Sequence, residues 1–154
     1  MTLVVGLGNP LREDEGIGVR IVQELERSLG ARCADVRFLD IGTSGMRLLD
    51  ALPGFDRAII VDCARMGQAP GTMLRFTEGD VETRRESASI TPHMGDLLHI
   101  VALARRLGTC PDDVVFFGIE PVALDYVAEL SLLLEEGLPL YLRRIVEEID
   151  RPQA

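Results

Sequence analysis

The sequence has no tryptophan, only two histidines (His93 and His99), and three cysteines (Cys33, Cys63 and Cys110) with no CxxC spacing. Each scarcity closes off a class of chemistry. Any site that needs imidazole, for a metal or for proton transfer, must draw on those two positions. An odd, dispersed set of cysteines predicts reduced thiols and not a disulfide framework. No apolar run reaches the roughly 18 to 20 residues that a bilayer-spanning helix needs, so no membrane insertion is expected. The N-terminus, Met1-Thr2-Leu3-Val4-Val5-Gly6, lacks the basic region and cleavage site of a signal peptide. These absences predict a cytoplasmic protein. Basic residues are also in short supply: 16 Lys+Arg face 25 Asp+Glu, for a net charge of −9. An acidic surface repels phosphate backbones, which excludes broad nucleic-acid binding.

What is present describes a folded chain. Its 154 residues are 47% hydrophobic, enough for one domain over residues 1–154 with a substantial core and too apolar for intrinsic disorder. Leu3 to Leu7 is a short apolar run rich in β-branched residues, read as a buried strand that stops at Gly8-Asn9-Pro10. From Asp14 to Leu29 the residues Ile17, Ile21, Val22, Leu25 and Leu29 recur at helical spacing, with Gly30 as the C′ residue. Val36 to Leu39 is a second strand, and Met46 to Leu52 a brief helix stopped by Pro53-Gly54.

A third strand, Ala58 to Val61, ends at Asp62, and Met73 to Phe76 is a further strand, expected to be antiparallel. The polar segment Thr77 to Ser89 reads as a mobile surface loop. A helix follows Thr91-Pro92 and ends near Gly108, Val114 to Ile119 is the final strand, and the last helix contains Tyr141, Ile145 and Ile149. Gly137 and Pro139 are expected to interrupt that helix or delay its start. Strands separated by helices predict a three-layer α/β/α sandwich with a largely parallel central sheet and one antiparallel strand.

Ligands of such sheets bind beyond the carboxyl ends of the strands. The first strand leads into Gly6-Leu7-Gly8-Asn9-Pro10-Leu11, which begins like a dinucleotide-binding loop but has Leu11 in place of the third glycine. Three acids, Glu13, Asp14 and Glu15, then stand where a pyrophosphate would need a neutral or positive surface. A dinucleotide site is therefore rejected. Asp14 reads as a helix cap. Asp62 is either a turn-forming carboxylate or a ligand, since an unpaired charge there is costly to bury. His93, after Pro92 at a helix start, is held neutral by the helix dipole, the form that ligates metals. Glu15, Asp62 and His93 together supply two oxygens and one nitrogen, a mixed set suited to zinc or nickel. His99 lies off the face of His93 and reads as structural or exposed.

The run Val4 to Gly18 closely resembles the opening of the [NiFe]-hydrogenase maturation endopeptidases. The likeness continues through Asp40 to Gly45, Ile59-Ile60-Val61-Asp62, Pro70-Gly71-Thr72, Thr91-Pro92-His93 and Gly118-Ile119-Glu120-Pro121, in the family's order. The resemblance implies removal of a C-terminal extension from the large-subunit precursor of a [NiFe]-hydrogenase after nickel insertion. It assigns metal binding to Glu15, Asp62 and His93, with the nickel supplied by the precursor and another divalent metal such as zinc standing in when it is absent. Asp40 corresponds to a further acidic position, a candidate for the catalytic carboxylate of an aspartyl-type peptidase. Two departures are visible: Ile41 precedes Gly42 where many members have a second glycine, and Leu132 follows Leu130-Ser131 where many have proline.

No Ser-His-Asp or Cys-His set is available for nucleophilic catalysis. Two alternatives belong to other classes. Peptidyl-tRNA hydrolases share the Gly-Leu-Gly-Asn-Pro opening but place a histidine shortly after it, where this chain has Glu13-Asp14-Glu15. A non-catalytic nickel-checkpoint module or metallochaperone would carry the same three candidate ligands.

Overall fold

The computed structural model describes residues 1–80, 92–125 and 127–153, with the backbone alone at 92 and 93. Its five strands are β1 (Thr2–Leu7), β2 (Val36–Gly42), β3 (Arg57–Cys63), β4 (Met73–Thr77) and β5 (Asp113–Ile119), in one sheet of order β2-β1-β3-β5-β4. β2, β1, β3 and β5 run parallel, and β4 pairs antiparallel with β5. Helices α1 (Ile17–Leu29), α2 (Met46–Ala51), α3 (Pro92–Arg106) and α4 (Leu132–Asp150) cover the two faces. The largely parallel sandwich with one antiparallel strand is the architecture expected from the sequence. Of the polar segment read as a mobile loop, Thr77 closes β4 and positions 81–89 lie outside the described residues.

The central strand explains the layering. Every residue of β1 is buried, as a parallel strand covered on both faces requires. Leu3, Val5 and Leu7 face α2 and α3, in a core with Leu48, Leu97 and Val101. Val4 faces α1 and α4, in a core with Ile21, Leu25 and Ile145. The chain leaves β1 through α1 to reach β2 on one side, then returns through α2 to β3 on the other. Right-handed crossovers in opposite directions put α1 and α2 on opposite faces. The carboxyl ends of β1 and β3 thus flank the point where the winding reverses, the position at which open α/β sheets bind ligands.

Two local expectations are corrected. Gly30 keeps right-handed helical dihedrals and donates to the Glu26 carbonyl, so it caps α1 without the left-handed turn of a C′ glycine. Gly137 and Pro139 neither break nor delay α4, which runs unbroken from its Ser131 cap. Proline removes one helical hydrogen bond, but Leu134, Leu138, Tyr141 and Ile145 remain buried on one face and outweigh it. Gly137 is there for space: a Cβ on it would lie 2.6 Å from the Tyr141 hydroxyl. That hydroxyl donates to the Gly71 carbonyl at 2.7 Å.

The amino ends of β3 and β5 meet the end of α4 around a buried ion cluster. Arg57 and Glu148 are 1% and 2% exposed. Arg57 donates to the Glu148 carboxylate and also, at 2.7 Å, to the Glu148 carbonyl, while its Nε lies 2.9 Å from Asp113. Arg75 forks onto both Glu148 oxygens at 2.7 and 2.9 Å. All 16 basic residues are arginines, and only a guanidinium offers this bidentate geometry. Burial alone would raise the Glu148 carboxyl, but the Arg75 hydrogen bonds and the Arg75, Arg57 and Arg151 charges outweigh it and hold it below its ordinary value. A depressed carboxyl contributes stability above its unfolded value and loses it as pH falls through the folded one. We expect Glu148→Gln to cost on the order of 3 kcal/mol at pH 7 by denaturant titration, since it strands the buried Arg57 guanidinium and the half-buried Arg75. The loss should shrink as pH falls below about 4.5, where the carboxyl of the unfolded chain protonates, and be gone once pH passes the lower folded value.

Candidate active site

The site is assembled at the switch point by close packing of the first loop. Gly18, in the first turn of α1, lies so near the strand ends that a Cβ would sit 2.4 Å from the Val61 carbonyl and 2.5 Å from that of Leu7. Gly8 has φ +133°, and a Cβ there would overlap the Glu15 carbonyl at 1.8 Å. The glycines that resembled a phosphate-binding loop instead let α1 and its lead-in turn press against the ends of β1 and β3. The result is that Glu15 sits at the carboxyl edge between them.

Glu15 belongs to a 3-10 turn, Glu13–Gly16, whose first residue adopts φ +47°. That left-handed conformation is costly for a non-glycine residue, about 1 kcal/mol. It is held by the Glu13 N–H donating to the Val127 carbonyl at 2.7 Å and by Asp125 N–H reaching the Glu13 carboxylate at 3.3 Å. Asp14 corrects the expectation of a helix cap. Gly16 is the N-cap of α1 and no side chain caps it. The Asp14 carboxylate is fully buried and accepts from Val122 N–H at 2.8 Å, Ala123 N–H at 3.2 Å and Ser131 N–H at 2.7 Å. It staples the loop after β1 to the segment that precedes α4.

Asp62 is the penultimate residue of β3, so the strand runs two residues further than expected. It is 4% exposed. Alternation places it on the face of Ala58 and Ile60, the face covered by α2 and α3. Its register partner on β5 is Gly118. A Cβ at Gly118 would lie 3.2 Å from the Met94 methyl, so the first turn of α3 rides directly over this position. That turn carries His93, whose side chain lies outside the described residues. The start of α3 thus packs, through Met94, over the Gly118 position paired with Asp62.

The Glu15 Oε2 atom is buried, lies 2.9 Å from Arg12 Nη1, and receives no aligned hydrogen bond among the described residues. A carboxylate oxygen left in that condition at a strand-end junction fits a cation ligand. Among the described residues no three His, Cys, Asp or Glu side chains form a complete metal cluster. Burial, then the charges of Asp62, Asp14 and Glu15, push the Cys63 thiol well above its ordinary value. The neighbouring cysteine is thus a poor nucleophile, and the three carboxylates share one electrostatic neighbourhood.

Asp40 stands apart from that group. It is exposed near the end of β2, where its Oδ1 accepts from Gly42 N–H at 2.8 Å and its Oδ2 from the Gln23 amide of α1 at 3.4 Å. The α1 contact puts it on the sheet face opposite Asp62, at the same carboxyl edge. Glu120, which the sequence offered only as part of a motif, is buried and accepts from Met66 N–H. It braces the loop that follows β3. His99 is exposed on α3.

An α/β sandwich with carboxylates at its switch point sets the fold class, and comparison with known proteins makes the class specific. A family model described as hydrogenase maturation protease matches residues 19–148. A hydrogenase expression/formation protein, HupD, from Rhodobacter capsulatus is 32% identical over 148 residues, which cover 96% of this chain and 70% of that protein. A HupD from Thiocapsa roseopersicina is 36% identical, covering 80% of this chain and 55% of its own length. The solved structure of the hydrogenase maturating endopeptidase HybD from E. coli superposes with a TM-score of 0.80 at 31% identity, covering 96% of this chain and 91% of that one. The chain belongs to the hydrogenase maturation protease family. That membership makes it a hydrolase of the peptidase class.

Gly8→Ala should displace the Glu15 peptide because its methyl group collides with backbone that has no room to yield. We expect a loss of about 2 kcal/mol or more in a denaturation midpoint series. Asp14→Asn should cost about 2 kcal/mol and speed amide exchange at Val122, Ala123 and Ser131 before the rest of the sheet is affected.

Proposed function

We propose that this protein is an endopeptidase that removes the C-terminal extension of a [NiFe]-hydrogenase large-subunit precursor after nickel insertion, and that it recognises the precursor by its nickel. The observation that supports this most directly is the meeting of Glu15, Asp62 and the first turn of α3 at the sheet's switch point. Two oxygens and the His93 imidazole make a donor set for a borderline cation that retains ligands of its own. In this reading the metal arrives with the substrate, and a divalent ion such as zinc fills the same position in its absence. A metal held there would supply a Lewis acid near the scissile carbonyl and make a bound water far more acidic than bulk water.

The chain's own residues do the rest. Glu15 and Asp62 anchor the loaded precursor at the edge between β1 and β3. Arg12, 2.9 Å from Glu15, offsets the negative charge of the carboxylates. Asp40, exposed at the same carboxyl edge on the other face of the sheet, is the carboxylate open to serve as general base toward a water on that side. The tRNA hydrolase alternative loses its footing, because the loop after β1 holds only acids and Arg12 where that chemistry needs histidine.

His93→Ala should keep the circular dichroism spectrum of the wild type and abolish shortening of a nickel-loaded precursor, read by mass spectrometry. Cleavage at the wild-type rate would remove the metal assignment. Precursor lacking nickel should stay intact with the wild-type enzyme, and equal cutting of both forms would remove nickel recognition. A precursor bound but never shortened would point to a checkpoint module. Asp40→Asn should lower kcat by about 100-fold or more with little change in KM.

A further inference from the structure

Strand β2 is an edge strand whose peptide groups are open on one side among the described residues. Thr2 N–H donates to the Asp35 carbonyl, and Thr2 is the register partner of Val36. In a parallel ladder this phase turns the peptide groups of Arg37 and Leu39 toward β1 and those of Phe38 and Asp40 away from the sheet. No described strand pairs with β2 on that side. Natural proteins usually cover or blunt such an edge.

Grooves flank the same strand on both faces. On the α1 face, a groove of about 620 Å³ is lined by Glu26, Ala31, Ala34, Val36, Arg37 and Phe38. On the α2 face, a groove of about 300 Å³ is lined by Arg37, Leu39, Asp50, Ala51, Pro53 and Phe55. An added strand sends successive side chains to alternate faces, so the two grooves would receive alternate residues of one extended chain. The strand also has a direction. β2 runs into Asp40 and the Gly42 turn, so a chain paired along it is delivered to the carboxyl edge of the sheet beside Asp40.

We infer that the open edge of β2 binds the precursor segment to be cut, as an extended strand whose side chains enter the two grooves alternately. The inference rests on the peptidase reading, and the direction of β2 toward Asp40 at the carboxyl edge favours the substrate chain over a second copy of this protein. Main-chain hydrogen bonds to Phe38 and Asp40 would supply register, and the two grooves would supply preference for side chains two apart.

The test uses the full-length enzyme with a precursor that it cuts and synthetic peptides spanning that cleavage site. Amide exchange at Phe38 and Asp40 should slow about tenfold or more when the peptide is present. Peptides N-methylated at alternate residues should lose binding in one phase and keep it in the other. Ala34→Trp, which fills the α1-side groove, should raise KM about tenfold with kcat retained. A precursor left uncut by the wild type overturns the peptidase reading and this inference with it. A cut precursor with unchanged β2 amides, or with no alternation in the N-methyl series, overturns the inference alone. Protection of β2 that rises with protein concentration in the absence of peptide assigns the edge to a second copy instead.

Discussion

A carboxylate with no exposure to water accepts three backbone N–H bonds from a segment more than a hundred residues away, and the carboxyl edge is organised around it. Asp14 cannot be moved without taking the shared acceptor away from the amides of Val122, Ala123 and Ser131. Because Asp14 lies in the same four-residue turn as Glu15, that constraint fixes a candidate ligand as well. The turn is clamped from the other side by the contact of Gly8 with the Glu15 carbonyl. The position of the Glu15 carboxylate is thereby set from two sides by backbone contacts.

The acidic balance of the chain divides into separate jobs. Asp14 and Glu120 are buried and satisfied by backbone amides, so they act as structural acceptors. Glu148 neutralises arginines at the amino end of the sheet. Asp62 and Glu15 remain at the carboxyl edge, and Asp40 stands exposed on the opposite face. The resemblance of the first loop to a nucleotide motif also finds its physical cause here. Close packing of helix on strand needs glycine whether or not a phosphate follows.

Much of this was legible in the sequence because it is local. The β-branched runs of β1, β3 and β5, the antiparallel β4 and the periodicity of α1 follow from short-range pattern, and so does the placing of Glu15 and Asp62 at the carboxyl edge, although β3 itself runs through Asp62. What could not be read was set by distant partners. The three donors of Asp14 lie 108 to 117 residues along the chain, so local pattern suggested a cap. Gly137 and Pro139 signal a break in isolation, but the buried face of α4 and the Tyr141 ring above Gly137 override it. The open side of β2 depends on strand order, which no single segment contains.

Helix α4 is held at both extremities, by Ser131 bonded to Asp14 and by Glu148 bonded to Arg57 and Arg75. It ties the two ends of the sheet together like a strut. A displacement of the helix along its axis would have to break contacts at both ends at once, so the Asp14 turn and the arginine cluster at the far end of the sheet are anchored to one and the same element.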